Sequence, residues 1–94
     1  TQIPAELYGL QKRGVLEEDA YADVVVLDEK TIGSNSTIIQ NDLPLDAPRL
    51  FADSSGVENV FCNGTEIVRN GEFSDERPGL VLRSGTHTQN PSMV

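Results

Sequence analysis

The sequence is organised around one run of residues, Val60-Phe61-Cys62-Asn63-Gly64-Thr65-Glu66-Ile67-Val68-Arg69-Asn70-Gly71. In this run an apolar, strand-like segment leads into an Asn-Gly pair, and a second such segment leads into another Asn-Gly pair. An Asn-Gly pair tolerates positive φ at both positions, and the twist of the resulting two-residue turn matches that of the strands beside it. The run therefore predicts a β-hairpin with strands over Val57–Cys62 and Thr65–Arg69.

A further strand is predicted upstream, over residues 22–28. Its centre, Val24-Val25-Val26-Leu27, is an unbroken apolar run with three β-branched residues, and it is bounded by Asp23 and Asp28. Such a run is typical of a strand that is covered on both faces. Each of its side chains contributes roughly 1.5–3 kcal/mol when buried, yet no other segment of the chain is large enough to cover both faces. We therefore expect the chain by itself to expose apolar surface.

A short helix is predicted around residues 4–10, because Pro4 suits the start of a helix and Gly9 suits its end. One or two turns of helix do not persist in water without a surface to pack against. Residues 29–56 are polar and show no sustained helical or strand period, which predicts a long loop. A loop of this length is usually functional or lies across another part of the protein. We expect the second, because four apolar residues are spaced along it as anchors: Leu43, Leu45, Leu50 and Phe51.

The sequence thus predicts a mainly β fold in three parts. Residues 1–14 form a short helix and a linker, residues 15–83 form a β-sandwich segment that contains the loop 29–56, and residues 84–94 form a tail. In the second part, Arg77-Pro78-Gly79 turns the chain into a short terminal strand over residues 80–83. The tail has little to bury, and we expect it to be flexible unless it docks.

Composition and charge exclude several classes of partner. With 15 acidic and 7 basic residues the chain carries a formal net charge of −8, which repels phosphate backbones and anionic membranes. No apolar run approaches the roughly 20 residues that span a bilayer. A single cysteine cannot form an internal disulfide, which fits a cytoplasmic protein. The missing initiator Met suggests that the chain begins inside a longer polypeptide.

No residue of the chain is predicted to be catalytic, cofactor-binding or metal-ligating. A zinc site needs three or four ligands, and His87 is the only histidine, so we interpret it as a solvated tail residue. Cys62 has no histidine nearby in sequence and is interpreted as an inert packed thiol. Asp23 and Asp28 lie five positions apart on a strand and point to opposite faces. We expect Asp23 to bind a turn or a backbone amide.

Several short elements, in this order along the chain, resemble the C-terminal end of amidohydrolase-superfamily enzymes. They are Pro4-Ala5, Gly9-Leu10, Arg13-Gly14, Ala22-Asp23-Val24-Val25-Val26, Asn63-Gly64 and Arg77-Pro78-Gly79-Leu80-Val81-Leu82-Arg83. The Ala-Asp-Val-Val and Val-x-x-Asn-Gly elements are common to many members. The Arg-Pro-Gly-x-Val-Leu-Arg ending is narrower and resembles the N-acyl-D-amino-acid deacylases, also called D-aminoacylases. Many members have Gly where this chain has Asp19, and Asp tolerates left-handed φ better than most residues.

The resemblance implies a metal-dependent TIM-barrel hydrolase whose N- and C-terminal segments together form a β-sandwich beside the barrel. This chain would supply the last barrel helix and the C-terminal half of that sandwich, and its partner would be the remainder of the same enzyme. One or two metal ions, usually zinc, lower the pKa of a bound water in such enzymes. The family's metal ligands lie on barrel strands upstream of these residues, so the resemblance gives this segment an architectural role.

Two other interpretations remain open from the sequence. The chain could be a freestanding small β module, derived from such an enzyme, that binds a protein or a small ligand. Alternatively, its exposed strand edges could pair between copies and give a strand-swapped oligomer.

Overall fold

The computed structural model of the protein describes residues 1–90 and shows a mainly β fold with one short helix. The elements are α1 (Gln2–Leu7), β1 (Val24–Leu27), β2 (Gly33–Ser34), β3 (Ile38–Gln40), a 3-10 turn (Pro44–Asp46), β4 (Arg49–Phe51), β5 (Ser54–Ser55), β6 (Val57–Cys62), β7 (Thr65–Arg69) and β8 (Glu72–Phe73). The main sheet has four antiparallel strands in the order β1-β6-β7-β8, and two further antiparallel pairs are formed by β2 with β5 and by β3 with β4. The mainly β fold class predicted from the sequence is confirmed.

The predicted hairpin is the centre of the main sheet. Strands β6 and β7 pair antiparallel across a turn in which Asn63 has φ 48° and Gly64 has φ 80°. The second Asn-Gly pair repeats this geometry, with φ 50° at Asn70 and φ 80° at Gly71, and leads into β8. The hairpin is confirmed with both strand ranges, whereas the two-residue strand β8 was not foreseen because it carries no alternating pattern of its own.

The helix lies slightly upstream of the predicted range and ends as predicted at glycine. Gly9 has a left-handed φ of 66° and donates its N–H to Glu6 O, while Leu10 donates to Ala5 O, which is the Schellman arrangement. The helix begins at Gln2, two residues before Pro4. Pro4 is tolerated there because the first four N–H groups of a helix have no partner within it.

Residues 1–90 contain no helix with the length and apolar character that a membrane span requires.

The sequence predicted a long loop over residues 29–56, but the structure shows an antiparallel hairpin there. We call residues 28–56 the arm. It doubles back on itself at the turn Pro44–Asp46, and its two halves pair first through β2 and β5 and then through β3 and β4. These strands are only two or three residues long, so no sequence period could reveal them.

The segment 80–83 is not a strand in the described structure, which corrects the prediction. Its apolar residues favour an extended backbone, but a strand also needs a neighbouring edge, and no described strand pairs with it. Residues after it dock on the end of α1, since Gln89 N–H donates to Gly9 O and Leu10 forms a β-bridge with Thr88. The last part of the predicted tail, residues 91–94, lies outside the described residues.

The chain has almost no core of its own. Among residues 1–90, Ala5 and Val68 are the buried apolar residues, at 6% and 9% exposure. The radius of gyration is 16.6 Å, against about 12 Å for a compact domain of this length. The accessible surface is 7961 Å², against about 5,300 Å² for a compact monomer of this mass. Val25, Val26 and Leu27 of β1 are all exposed, so the expectation that the chain exposes apolar surface is confirmed.

Substituting two glycines separates backbone strain from steric overlap. A Cβ at Gly14 (φ 88°) would lie 2.6 Å from the Ala5 Cβ and 2.9 Å from Thr1 O, whereas a Cβ at Gly64 (φ 80°) would meet nothing within 4 Å. Gly64→Ala should lower the free energy of unfolding by about 1–2 kcal/mol through strain alone. Gly14→Ala should cost about 2 kcal/mol more, because it also overpacks the site. Urea unfolding followed by circular dichroism measures both, and equal losses would contradict the packing of α1 on Gly14.

Candidate functional site

Four segments of the chain meet at a polar junction formed by Arg13, Asp23, Asn63 and Pro78. Arg13 Nη1 donates to Asp23 Oδ2 at 2.5 Å, and Asn63 N–H donates to Asp23 Oδ1 at 2.8 Å. Asn63 Nδ2 in turn donates to Pro78 O at 2.8 Å. The junction therefore joins the linker after α1, the start of β1, the β6–β7 turn and the C-terminal segment.

The prediction that Asp23 binds a turn or backbone amide is confirmed. Its two carboxylate oxygens accept from different segments, so it aligns β1 with the hairpin turn, and Gly64 N–H adds a bond to Ala22 O at 2.9 Å. The Arg13 guanidinium also lies over the Tyr21 ring, 4.1 Å from its centroid. The Arg-Gly, Ala-Asp, Asn-Gly and Arg-Pro-Gly elements of the sequence thus meet in one place.

The electrostatics of the junction favour an ionised Asp23. Partial burial raises the pKa of Asp23, but the Asn63 N–H and the Arg13 guanidinium together outweigh burial, and the net pKa lies below the ordinary value of 3.8. A carboxylate held in this state accepts hydrogen bonds and is poorly suited to proton transfer near neutral pH. Asn63 Oδ1 is buried and has no donor within residues 1–90.

An apolar row crosses the main sheet from edge to edge. The register pairs Val25 with Val60, Val60 with Val68, and Val68 with Phe73, so the four side chains share one face. Val68 is buried, but the two ends of the row are open, with Val25 at 54% and Phe73 at 86% exposure. Strand β1 lies at an edge of the sheet and has no partner on its outer side within the described part of the chain. The apolar row and this edge form the candidate functional site, an interface surface.

The other residues singled out in the sequence do not come together in a catalytic arrangement. Asp28 accepts Lys30 N–H at 2.9 Å in its own turn, away from the partners of Asp23. His87 is exposed, and its Nδ1 accepts Arg83 N–H at 2.9 Å. Asp19 has φ 66°, so it does adopt the left-handed conformation for which many family members use Gly. In residues 1–90 no three His, Cys, Asp or Glu side chains are placed to hold a metal ion.

Cys62 is half-buried beside a groove of about 420 Å³ between α1 and the segment around Leu80. The charged side chains of that groove, Arg13 and Asp23, are paired with each other. A small-molecule site needs polar groups free to orient the ligand, and here the charged pair is already engaged, which leaves the buried Asn63 Oδ1 as an acceptor without a donor within residues 1–90. The groove is therefore a weaker candidate than the apolar row.

The sequence indicated only part of the apolar row. The valine run of β1 and the hairpin were both evident, but the pairing of Val60 with Val68 follows a β-bulge at Val60/Phe61 in the hairpin, and Phe73 lies in the unforeseen strand β8. Bulges leave no sequence pattern of their own. Arg13 and Pro78 were quoted as motif residues, but their common partner network required the fold.

The chain is similar to curated deacylases from Alcaligenes xylosoxydans xylosoxydans. It is 40% identical to N-acyl-D-glutamate deacylase over 83 residues, which covers 88% of this chain and 15% of that enzyme. It is 31% identical to N-acyl-D-aspartate deacylase over 85 residues, which covers 90% of this chain and 15% of that enzyme. It is 28% identical to D-aminoacylase over 82 residues, which covers 87% of this chain and 15% of that enzyme. No family model and no solved structure matches the chain.

These similarities concern one segment of each relative and not its whole length. The chain spans about 15% of the length of the curated relatives it matches, while the matched residues make up about nine-tenths of the chain itself. The resemblance to the D-aminoacylase-like amidohydrolases that the sequence motifs indicated is confirmed at this level.

Substituting Asp23 tests the junction. The pKa of Asp23 is lower in the folded state, so its ionised form stabilises the fold fully at pH values above about 4, and this contribution is lost as pH falls through the lowered folded-state pKa. Asp23→Asn should lower the free energy of unfolding by about 1 kcal/mol at pH 7 and should flatten its decline below pH 4. Urea unfolding measured from pH 2 to pH 7 gives both quantities.

Asp28→Asn is the matched control, since the amide oxygen can still accept Lys30 N–H. Its loss at pH 7 should stay within about 0.5 kcal/mol. If the two variants were equally stable at every pH, the junction would not support the fold.

Proposed function

Because this chain is similar to a segment of D-aminoacylase-like amidohydrolases, we propose that it is the C-terminal structural segment of a metal-dependent enzyme that hydrolyses the amide bond of N-acyl-D-amino acids. The observation that carries the proposal is the contrast in coverage. The similarity to N-acyl-D-glutamate deacylase covers 88% of this chain but 15% of that enzyme. The match covers most of this chain but only a small part of the relative, which is the coverage expected of a segment of a larger enzyme.

In this proposal the chain supplies half of a β-sandwich, and the other half comes from strands elsewhere in the same polypeptide. The apolar row would face those strands, as the inner faces of sandwich sheets do. The outer edge of β1 has no partner among the described residues and would continue the sheet. An exposed apolar edge is a liability that soluble proteins normally cover, which supports an additional strand at this position.

The amount of uncovered surface supports a permanent partner. The accessible surface of 7961 Å² exceeds that of a compact monomer of this mass by about 2,600 Å². A standard protein interface buries about 800 Å² per partner. The excess is about three times that value and fits an interface that forms as part of folding better than it fits a transient contact.

The residues of this segment do not fit the metal site that the family implies. Within residues 1–90 no group of His, Cys, Asp and Glu side chains could hold an ion. Zinc, where the whole enzyme uses it to activate water, would therefore be bound outside this segment. The part played by these residues is to hold the sandwich, and no step of the reaction is assigned to them.

Pairing of two copies is the second candidate, and the free outer edge of β1 favours it. Two copies, each with a formal net charge of −8, repel each other at low ionic strength, which favours the larger enzyme. Sedimentation of the 94-residue chain in low and high salt separates the two, since strand exchange would give a dimer whose population rises with concentration.

The activity is tested on the complete polypeptide that carries these residues. N-acetyl-D-glutamate is the first substrate to test, because the relative that shares 40% identity is named for that residue, and N-acetyl-L-glutamate is the control. We expect release of D-glutamate, detected by chromatography, and none of the L-enantiomer. Absence of hydrolysis across a panel of N-acyl-D-amino acids would overturn the proposed activity.

Phe73→Ser tests whether the apolar row is covered in the complete polypeptide. Phe73 is almost fully exposed in the chain alone, so the substitution should change the stability of the isolated 94-residue chain by less than about 0.5 kcal/mol. In the complete polypeptide it should cost about 3 kcal/mol, as for a buried aromatic side chain, and should lower the melting temperature and soluble yield.

Glu72→Ser is the matched control, because Glu72 is the neighbouring residue of β8 and points to the opposite face of the sheet. It should leave the melting temperature of the complete polypeptide nearly unchanged. Equal effects of the two substitutions would show that the apolar row stays open to solvent.

A further inference from the structure

The arm is a built element with its own hydrogen bonds. At its base Asp28 N–H donates to Gly56 O and Asn35 N–H donates to Asp53 O, both at 2.8 Å. Ser55 Oγ adds a bond to Thr31 O at 3.0 Å. These bonds lie on both sides of the short β2–β5 ladder, so the arm projects from the sheet as a defined hairpin.

The tip of the arm is fixed by a second set of polar contacts. Arg49 Nε and Nη2 donate to the two carboxylate oxygens of Asp42, at 2.5 and 2.6 Å, in a bidentate pair. Asn41 Nδ2 donates to Asp46 O at 3.1 Å, which closes the turn from the other side. The conformation of the turn therefore does not depend on burial of its apolar residue, Leu45.

Leu45 is presented outward in a strained conformation. Leu45 and Asp46 have φ of 60° and 55°, two successive left-handed residues that are not glycine. Each such residue costs of order 1–2 kcal/mol. The Leu45 side chain is fully exposed, at 102%. No contact within residues 1–90 compensates for the strain of this turn or for the exposure of Leu45. Backbone strain of this kind is typical of residues at binding sites.

The arm below the tip is apolar on its flank and acidic overall. Ile39 and Leu50 are a directly paired couple of β3 and β4, and both are exposed. Gln40 Oε1, one residue on, is buried without a donor in the described part of the chain. The charged residues of the arm give a net charge of −3: Asp28, Glu29, Asp42, Asp46 and Asp53 against Lys30 and Arg49.

We propose that the arm docks on the part of its own polypeptide that lies outside these 94 residues, and that Leu45 inserts into an apolar pocket there whose rim is basic. This inference rests on the proposed function, because it takes the larger enzyme as given. It adds a second contact to that of the sheet, made by a different element. The excess of about 2,600 Å² of surface over a compact monomer is enough for both contacts.

The negative charge of the chain favours docking of the arm on the rest of its own polypeptide over docking on a second copy, on nucleic acid or on an anionic membrane. A second copy would bring an arm of the same net charge of −3 and a chain of net charge −8, so like charges would meet at the contact. Nucleic acid and anionic membrane are repelled for the same reason. The relatives, in contrast, are more than six times as long as the segment matched here, and the enzyme to which it belongs offers its surface at high effective concentration.

Photo-crosslinking in the complete polypeptide tests the contact. Leu45 and, in a separate sample, Phe73 at the open end of the apolar row are each replaced by benzoylphenylalanine, and the crosslinked peptides are identified by mass spectrometry. We expect Leu45 to crosslink within the same polypeptide, to apolar residues outside these 94. Crosslinks to a second copy, or none, would overturn the docking of the arm.

The Phe73 sample separates this inference from the proposal on which it rests, because Phe73 belongs to the apolar row. If Phe73 crosslinks to the rest of the polypeptide and Leu45 does not, the segment belongs to the larger enzyme but its arm stays free. If neither residue crosslinks to the rest of the polypeptide, the proposed function fails and the docking of the arm fails with it.

Limited trypsin digestion provides a second measurement, because the arm contains the cleavage sites Lys30 and Arg49. A docked arm is protected, and Leu45→Gly should speed cleavage of the complete polypeptide at these sites by about 10- to 100-fold, the loss of one buried leucine. Ala47→Gly introduces a glycine into the same turn but keeps the Leu45 side chain and every charge of the arm, so its rate should change less than about fivefold. Equal rates for the two variants would overturn the insertion of Leu45.

Discussion

The carboxylate of Asp23 is the contact on which the arrangement of this chain depends. One oxygen accepts from Arg13 and the other from Asn63 N–H, so one side chain fixes the linker after the helix, the first strand and the turn of the central hairpin. Because the chain buries so little surface, these hydrogen bonds fix the relative positions of its segments, whereas in a compact domain side-chain packing fixes them. The same scarcity is consistent with the motif residues that resemble those of amidohydrolases gathering here. They hold together segments that have no core between them.

The sequence predicted the local elements well and the long-range ones poorly. The Asn-Gly pairs at Asn63 and Asn70 specify their turns because positive φ is a property of the residues themselves, and Gly9 ends the helix for the same reason. The arm was missed because its strands are too short for a period to emerge. The segment 80–83 was assigned wrongly because strand propensity carries no information about whether an edge lies beside it. The interface surface was foreseen as an excess of apolar residues, but its position required the register of four strands.

The proposed function rests on what the chain leaves uncovered. An active site is normally recognised by convergent polar groups, and here the charged side chains of the junction neutralise one another. What remains is an apolar row across one sheet, a free strand edge and an arm with a leucine at its tip. Each of these is costly in water, and each fits a segment that completes a larger enzyme. The similarity to deacylases over about nine-tenths of the chain supports the same proposal.

The open apolar row has a consequence for the order in which such an enzyme is made. A segment at the carboxyl end leaves the ribosome last, and at about 5–20 residues per second its synthesis takes roughly 5–20 s. In the proposed enzyme the earlier part of the polypeptide would by then be available as a template, so the valines and Phe73 would be exposed only briefly before they meet their partner. The same face placed at the amino end would wait through the whole of translation, open to aggregation and to chaperones.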